Sequence, residues 1–292
     1  MPHEQHPRPP RATNFSDIFA LSHDGTHHTT TFVETNFGGS LFGGQLMAQA
    51  MLAAGTDLDA DWGFKSLHGH FLRAVKTHPL PSYTVAKVMT GRSFAVREVE
   101  TLSGQDSGFR ASVMFQRPET GPEHADAMPD VPSPEDLPDI VALAKQFKEQ
   151  VSDDNYKVFR GRQLFEMRPV DGEDFMLCRD GKPRLRYWIR SASALPDVPR
   201  LHAAALLYLS DTWLNSTMLA PHTGTRVGRH FMAPTLSHDL WLHRSFRADD
   251  WLLFDMRSPS MSGATALVQA HVFDRAGRLV ANVAQHALLR IS

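Results

Sequence analysis

One acidic residue stands in the most apolar stretch of the sequence. Asp211 lies within residues 202–214, where alanine, leucine and aromatic residues flank it on both sides. A carboxylate buried in such surroundings costs several kcal/mol unless a hydrogen bond or a positive charge compensates it. Ser210 and Asn215 are close enough in sequence to be its partners. Asp211 is therefore either a hydrogen-bonded carboxylate on an exposed helix stripe or a base that holds water at a pocket.

Thr235 and Gln285 are two further polar residues in apolar surroundings. Thr235 precedes a strand-like segment, and Gln285 shares one face of the last predicted strand with aliphatic residues. A side-chain amide on an otherwise apolar face needs a specific hydrogen-bond partner. Each residue taken singly is more often a structural hydrogen-bonding group than a catalytic one. His238 and His243 are alternative acid or base residues, although a histidine in a strand is more often structural.

Missing motifs exclude several other kinds of site. The sequence has no GxSxG nucleophile elbow, no P-loop and no GxGxxG fingerprint. The single cysteine, Cys178, excludes an internal disulfide and any CxxC metal or redox site. Sixteen histidines are scattered without an HExxH motif, so no metal site is expected. The chemistry is expected to come from side chains and water, with no cofactor.

The composition is that of a globular protein in water. Of 292 residues 42% are hydrophobic, and 30 Lys and Arg against 32 Asp and Glu give a formal net charge of -2. This balance provides no basic field for nucleic acid. The longest apolar stretch, residues 202–220, is interrupted by polar residues and is not expected to span a membrane. Residues 1–13 lack the apolar core of a secretory signal, which favours a disordered tail and, with the lone cysteine, the cytoplasm.

The elements that position these residues occur in the same order in each half of the chain. After the FGGQ motif at residues 42–45, the sequence predicts a helix that is apolar nearly all round, as a buried helix is, and that ends at Gly55. Strands are predicted at residues 66–75, 83–89, 93–102 and 109–116. The second half has predicted strands at 184–190, 239–246, 251–257, 264–273 and 278–290, and an apolar helix at about 200–220.

A proline-rich stretch separates the two halves. Prolines and acidic residues crowd between positions 118 and 138, which indicates a linker, and residues 139–151 carry the stripe of one amphipathic helix. The simplest account of the repeated order is an internal duplication of a helix-plus-antiparallel-sheet unit, although chance similarity of two α+β regions gives the same pattern. Two units placed edge to edge would gain a continuous sheet. The predicted organisation is a tail (1–13), an N-terminal unit (14–118), a linker with one helix (119–160) and a C-terminal unit (161–292).

Short motifs in a fixed order give the sequence a family resemblance. Each motif alone is short, but the ordered set, from about Asn36 to Arg290, resembles the acyl-CoA thioesterase II family. The resemblance implies an α+β double hotdog, in which each of two units is a helix cradled by an antiparallel sheet. The motifs are FGGQ (42–45), HGHFLR (68–73), GRSF (91–94) with Arg97, ASVMFQ (111–116), EMRPV (166–170), YWIR (187–190), LSD (209–211), TLSHDLWLHR (235–244) and VAQH (283–286).

The resemblance also implies which residues act. The family's catalytic aspartate falls on Asp211, its hydroxyl residue on Thr235 and its strand glutamine on Gln285. These are the polar residues that already stood out from their apolar surroundings. The histidine ahead of the family's Phe-Leu-Arg falls on His68, which is expected to be structural or to contact the substrate.

The expected reaction is hydrolysis of an acyl-CoA to a free fatty acid and coenzyme A. Asp211 would accept a proton from a water molecule that Thr235 and Gln285 orient. Backbone N–H groups at a helix N-terminus would stabilise charge on the thioester oxygen. Gly43 and Gly44 either let the substrate approach that terminus or make a tight turn before a buried helix. Neither a covalent intermediate nor a metal is required.

Two other classes of protein remain open at this point. A hotdog hydratase also binds acyl-CoA, but it would place an acid and a histidine together, and the first helix carries no acid. A non-catalytic acyl-CoA-binding module could keep the fold and lose the chemistry, which the presence of all three polar residues argues against. The exposed edges of the predicted sheets also favour a homo-oligomer, either a dimer or a tetramer.

Overall fold

The computed structural model describes residues 10–36, 38–151, 156, 159, 164–178, 181–225 and 231–291. The first half begins with a short helix and a hairpin, continues with a long buried helix, and then adds four strands. These elements are α1 (Phe15–Phe19), β1 (Leu21–His23), β2 (His28–Thr30), α2 (Gly43–Ala54), β3 (Gly63–Phe71), β4 (Ser82–Thr90), β5 (Phe94–Ser103) and β6 (Asp106–Gln116).

In the remainder of the chain, the described residues include a helix in the linker and a second set of strands and helices. In chain order these elements are α3 (Ile140–Gln146), β7 (Phe165–Pro169), α4 (Gly172–Leu177), β8 (Arg184–Ser191), α5 (Pro199–Ser210), α6 (Leu214–Leu219), β9 (Phe231–Met232), β10 (Thr235–Leu242), β11 (Leu252–Ser262), β12 (Thr265–Asp274), β13 (Leu279–Leu288) and β14 (Arg290–Ile291).

Twelve of the described strands form one antiparallel sheet that runs through both halves. Its order is β1-β2-β4-β5-β6-β3-β10-β13-β12-β11-β8-β7. The halves join where β3 pairs with β10, and Leu67 lies opposite Leu240 in that pair. This pairing removes one free edge from each half, and it confirms the predicted continuous sheet and the α+β double-hotdog fold.

Helices α2 and α5 lie against the inner face of this sheet and against each other. Ten of the twelve residues of α2 and nine of the twelve in α5 are buried. Alanine, leucine and methionine favour helix and fill this interior without polar atoms. The helices are antiparallel, because Gly44 approaches Tyr208 while Gly55 at the other end of α2 meets Arg200. Among the described residues, no helix is long and apolar enough to cross a membrane.

The predicted helix at residues 200–220 is wrong in one respect, because the structure divides it in two. Helix α5 ends at Ser210, Asp211 is its C-terminal cap, and α6 begins at Leu214. Between them Trp213 has φ of 63°, a left-handed conformation that a helix cannot continue through. The Tyr187 hydroxyl donates to the Thr212 carbonyl at 2.8 Å and holds the break in place. Asp211 therefore lies at a helix end, not midway along a helix.

The linker packs on the outer face of the sheet, the face turned away from α2 and α5. The Trp188 indole N–H donates to the Pro132 carbonyl at 3.0 Å, and Met128 and Leu137 pack against the same apolar cluster. The linker helix predicted over residues 139–151 is shorter, because α3 starts after the Asp139 cap, ends at Gln146 and is followed by a 3₁₀ turn.

Residues 10–13, which the sequence assigns to the tail, pair with the neighbourhood of Val33. The Ala12 N–H donates to the Val33 carbonyl at 3.2 Å, and the Ala12 side chain is buried. Backbone pairing of this kind satisfies the polar groups of a segment that would otherwise be hydrated. The bounds of the four segments stay predictions, and most of the tail lies outside the described residues.

Candidate active site

Asp211 reaches from the end of α5 to the start of α2. A Cβ atom added to Gly43 would lie 2.6 Å from Asp211 Oδ2, so the carboxylate rests directly on this glycine. The backbone N–H of Gly44 donates a hydrogen bond to the same carboxylate. A helix N-terminus carries unpaired N–H groups and a partial positive charge, which favours a negative group there. The tertiary fold thus supplies part of the compensation that a carboxylate in an apolar stretch requires.

The surroundings of Asp211 keep its proton affinity unusually high. Burial raises the pKa of Asp211 to about 7, against the smaller opposing effect of the Gly44 hydrogen bond. A carboxyl with this pKa is ionised in a large fraction of molecules near neutral pH and still binds a proton well. Both properties are those of a general base for a reaction in neutral water.

The two glycines at this helix end are needed for different contacts. At Gly43 the close neighbours are the Asp211 carboxylate and, at 3.1 Å, the ring of Phe71. At Gly44 a Cβ atom would lie 2.5 Å from the Tyr208 carbonyl oxygen and 2.5 Å from the ring of Phe42. Gly43 therefore makes room for the carboxylate, and Gly44 lets the backbones of α2 and α5 approach each other.

This difference predicts opposite phenotypes for two alanine variants. We expect Gly43→Ala to lower kcat on the order of tenfold with a small change in melting temperature, because a methyl group there displaces the carboxylate. We expect Gly44→Ala to destabilise the fold by roughly 1–3 kcal/mol or more, because its methyl group meets backbone that cannot move alone. Thermal melts and turnover of both variants measure this. Gly121→Ala is the control, since no atom lies within 4 Å of its added Cβ, and equal melting losses at Gly43 and Gly44 would contradict the assignment.

Gln285 lies at the centre of a chain of hydrogen bonds on the inner face. It is 1% exposed, and its Oε1 lies 2.7 Å from Nδ1 of His238 on the neighbouring strand. Its Nε2 donates to Asn215 Oδ1 at 2.5 Å, and Asn215 Nδ2 donates to the Ala233 carbonyl at 2.9 Å. At the other end His238 Nε2 lies 2.9 Å from the Ser210 hydroxyl. Gln285 thus has the specific partners that its position on an apolar face required.

These contacts correct one expectation from the sequence. Ser210 and Asn215 were expected as partners of Asp211, but Ser210 contacts His238 and Asn215 binds Gln285. The helix break at 211–213 explains this, because it turns the Asp211 side chain toward α2 and leaves its neighbours facing the sheet. His238 joins Ser210 to Gln285, and the sequence had indicated it only as a strand histidine that is more often structural than catalytic.

Thr235 is the first residue of β10 and lies on the same inner face. It pairs with Ala287, two residues beyond Gln285 on β13, and a bulge then separates it from the pair between His238 and Gln285. The Asn215 bond to Ala233 ties the start of this strand to α6. Through Asn215, both Gln285 and the segment just before β10 contact the start of α6, four residues after Asp211.

His68 is not brought to this group. Strand alternation puts Leu67 on the inner face of β3 and His68 on the outer face, where its Nδ1 lies 3.0 Å from Asp239 Oδ1. Trp241 packs edge-on against the His68 ring. These contacts fit the structural role that the sequence left open for His68 rather than contact with substrate at Asp211. His243, an alternative acid or base residue, bonds Asn282, whose strand partner Trp241 lies on this outer face.

The opposite ends of α2 and α5 meet through an arginine side chain, a contact that the sequence did not reveal. Arg200, at the start of α5, donates to the Gly55 carbonyl at 2.6 Å and also to the carbonyls of Leu58 and Trp62. At this end of the helix pair the Arg200 guanidinium makes the contact between α2 and α5, as the Asp211 carboxylate does at the other end.

In the described parts of the chain, no group of three or more His, Cys, Asp or Glu residues is arranged to hold a metal ion.

Both halves of the chain match domains of one known family. Residues 34–116 match the acyl-CoA thioesterase N-terminal domain, and residues 122–289 match the acyl-CoA thioesterase C-terminal domain. Acyl-coenzyme A thioesterase 8 of Mus musculus is 32% identical over 275 residues, which cover 91% of this chain and 84% of the mouse protein. Acyl-CoA thioesterase 2 of Haemophilus influenzae is 28% identical and covers 88% of each chain.

Solved structures show the same likeness in three dimensions. The crystal structure of an acyl-CoA thioesterase II from Mycobacterium marinum superposes with a TM-score of 0.77 at 30% identity, over 95% of this chain and 98% of that chain. A protein from Mycobacterium avium subspecies paratuberculosis superposes with a TM-score of 0.76 at 25% identity, over 94% and 98% of the two chains.

Proposed function

The chain belongs to the acyl-CoA thioesterase family and hydrolyses acyl-CoA thioesters, and from this premise we propose that Asp211, Thr235 and Gln285 activate the attacking water. The observation that carries the proposal is the Asp211 carboxylate at the N-terminus of α2, with its pKa raised by burial to about 7. No cofactor takes part in the proposed reaction, and the products are a free fatty acid and coenzyme A.

The chemical problem is that water is a poor nucleophile toward a thioester. Asp211 accepts one proton of the water, which increases the negative charge on the water oxygen as it attacks the carbonyl carbon. The Thr235 hydroxyl oxygen accepts the second hydrogen of the water, and Gln285 donates one hydrogen bond to it from its amide. A water molecule held by three groups keeps one lone pair free, so these contacts determine the direction of attack.

Charge that develops on the thioester oxygen needs donors that are already in place. The first-turn N–H groups of α2 are such donors, because the first four N–H groups of a helix have no partner within it. Gly44 N–H binds Asp211, so we assign the thioester oxygen to the neighbouring N–H groups of this turn, of which Gly43 is the first. Collapse of the tetrahedral intermediate then breaks the carbon–sulfur bond, and the leaving sulfur takes the proton held by Asp211 and departs as the coenzyme A thiol.

A panel of acyl-CoA substrates tests the function. Purified protein is assayed for release of free thiol with acyl chains from two to eighteen carbons and with branched and hydroxylated acyl groups. Turnover of at least one acyl-CoA is expected, and the profile of kcat/KM gives the chain-length preference. Binding of the same acyl-CoAs without thiol release would instead support a non-catalytic binding module.

We further propose that the enzyme is a homo-oligomer, a dimer or a tetramer, that acts in fatty acid metabolism in the cytoplasm. Strands β1 and β7 end the described sheet with unpaired edges, which proteins tend to cover. A chain with one cysteine has no internal disulfide and suits a reducing compartment. Light scattering at micromolar concentration is expected to give a mass of two or four chains of 32.6 kDa. A mass of one chain would contradict the assembly without touching the proposed chemistry.

A further inference from the structure

We propose that His238 is a positioning residue for Gln285: held by the Ser210 hydroxyl, it donates from Nδ1 to Gln285 Oε1 and so fixes which end of that amide faces the reacting water. The inference rests on the proposed role of Gln285 in binding that water. Histidine and glutamine lie directly opposite each other on β10 and β13, and both are buried.

The direction of the hydrogen-bond chain follows from its fixed end. The Ala233 carbonyl can only accept, so the atom of Asn215 that faces it is the amide nitrogen. Asn215 Oδ1 then faces Gln285 and accepts from Nε2, which leaves Gln285 Oε1 facing His238. An amide oxygen also only accepts, so His238 Nδ1 carries the proton that is shared with Gln285.

The other tautomer of His238 is excluded by the same contacts. A proton on Nε2 would leave Nδ1 as an acceptor, and Gln285 would then have to turn its nitrogen toward the ring. With Gln285 rotated in this way, its amide oxygen faces the amide oxygen of Asn215. If Asn215 rotates as well, the Asn215 oxygen faces the Ala233 carbonyl oxygen instead. Each alternative brings two acceptors into contact, and this is costly because the Gln285 amide and the His238 ring are both buried.

The ring must also be neutral for Ser210 to complete the chain. Burial lowers the pKa of His238 to about 4, against the smaller opposing effects of the Gln285 hydrogen bond and the nearby Asp239. With the proton on Nδ1, Nε2 is an acceptor, and the Ser210 hydroxyl 2.9 Å away donates to it. The same hydroxyl also lies 2.9 Å from the Leu207 carbonyl, to which it can donate, so its single proton is shared between two acceptors and the proposal directs it to Nε2.

The consequence for Gln285 is a single available donor. His238 uses one lone pair of Oε1, and Asn215 uses one hydrogen of Nε2, so the second amide hydrogen is the one that Gln285 can donate to water. If the amide were free to rotate, an oxygen would face the water in part of the molecules and would compete with Asp211 for its protons. His238 therefore acts on the reaction through Gln285, without touching the substrate.

NMR of the intact protein tests the tautomer without reference to activity. Correlation of ring protons with ring nitrogens is expected to show His238 as a neutral ring protonated at Nδ1 from pH 8 to pH 5.5. His202 is an internal reference of the opposite kind, because its buried Nδ1 accepts from the Ala248 N–H at 3.1 Å and its proton is on Nε2. A proton on Nε2 of His238, or a doubly protonated ring at pH 7, overturns the proposal even if Gln285 is catalytic.

Two substitutions of His238 separate positioning from folding. In His238→Asn the amide nitrogen replaces Nδ1 and can still donate to Gln285, whereas in His238→Gln the amide lies near the former Nε2 and can serve only Ser210. We expect kcat to fall on the order of tenfold in His238→Gln and no more than about threefold in His238→Asn, with KM unchanged in both. Thermal melts measure the folding effect, and His202→Gln is the matched control for disturbing a buried histidine away from Gln285.

Double variants connect the effect to Gln285 and separate it from the proposed function. In a Gln285→Ala background, His238→Gln is expected to add no further loss of kcat, because both changes act on one water contact. Equal kcat for the Asn and Gln variants, or a full additional loss in the Gln285→Ala background, overturns the positioning role. If Gln285→Ala alone leaves kcat unchanged, the proposed mechanism fails instead, and the NMR result still decides the tautomer.

Discussion

Asp211→Asn is expected to lower kcat for acyl-CoA hydrolysis by roughly 100-fold or more, the usual range for loss of a general base. Asparagine keeps the size of the side chain and can still accept the Gly44 hydrogen bond, but it cannot take a proton from water. Binding of acyl-CoA should survive, because affinity comes from the coenzyme A and the acyl chain. Thiol release by the purified variant, with binding measured separately, tests both statements.

The same substitution is expected to stabilise the fold. The pKa of Asp211 is about 7 in the folded protein and near its ordinary value, 3.8, in the unfolded chain, so ionisation above pH 7 costs the fold on the order of a few kcal/mol. The variant lacks this cost. Its gain over the wild type should be full at pH 8 and shrink as the pH falls from 7 toward 4, as urea denaturation at several pH values can measure. An inactive but destabilised variant would leave misfolding as the cause, and near-normal turnover would refute the base.

Thr235 and Gln285 provide the companion test. Thr235→Val and Gln285→Ala should each lower kcat less than Asp211→Asn, because each removes only part of the positioning of the water. Combined with Asp211→Asn, either should add little, since the three residues act on one water molecule. Strictly additive losses would show that the residues act on separate steps.

The second large expected effect is a dependence of kcat/KM for acyl-CoA hydrolysis on pH. Asp211 must be ionised to accept a proton, so kcat/KM is expected to be constant above about pH 8 and to fall tenfold per pH unit below pH 7. At pH 5 about 1% of the carboxyls are ionised, which predicts a loss of roughly 100-fold. The midpoint near 7 reports the free enzyme, because kcat/KM reflects its ionisation. Initial rates in buffers of constant ionic strength from pH 5 to 9 measure the profile.

Two variants assign that midpoint to Asp211. Thr235→Val keeps the carboxyl and should retain the midpoint at a lower rate, whereas the residual activity of Asp211→Asn should lose the acidic limb. The neutral His238 has a pKa of about 4 and contributes nothing between pH 5 and 9. A flat profile from pH 5 to 8, or an acidic limb that persists in Asp211→Asn, would exclude Asp211 as the group that titrates.

The sequence alone predicted the buried helices and the long strands in their order, and the three polar residues that we propose for the site. Helical spacing and strand alternation are local properties, so the helix that starts at Gly43 and the strand that contains Gln285 could be predicted from their own segments. Asp211, Thr235 and Gln285 stood out because each breaks an apolar pattern. The ordered motifs supplied the family, which the comparisons confirm.

Only the tertiary structure decided what these residues contact. Strand alternation separates two faces of β3 but does not say which one covers α2, so the outward position of His68 depended on pairing with β10. The left-handed conformation of Trp213 and the hydrogen bond from the Tyr187 hydroxyl fix the end of α5 at Ser210. As a result, the Asp211 side chain faces Gly44 at the start of α2. Hydrogen bonds such as that between His238 and Gln285 join segments far apart in the chain, and they exist because the register of neighbouring strands places those side chains opposite each other.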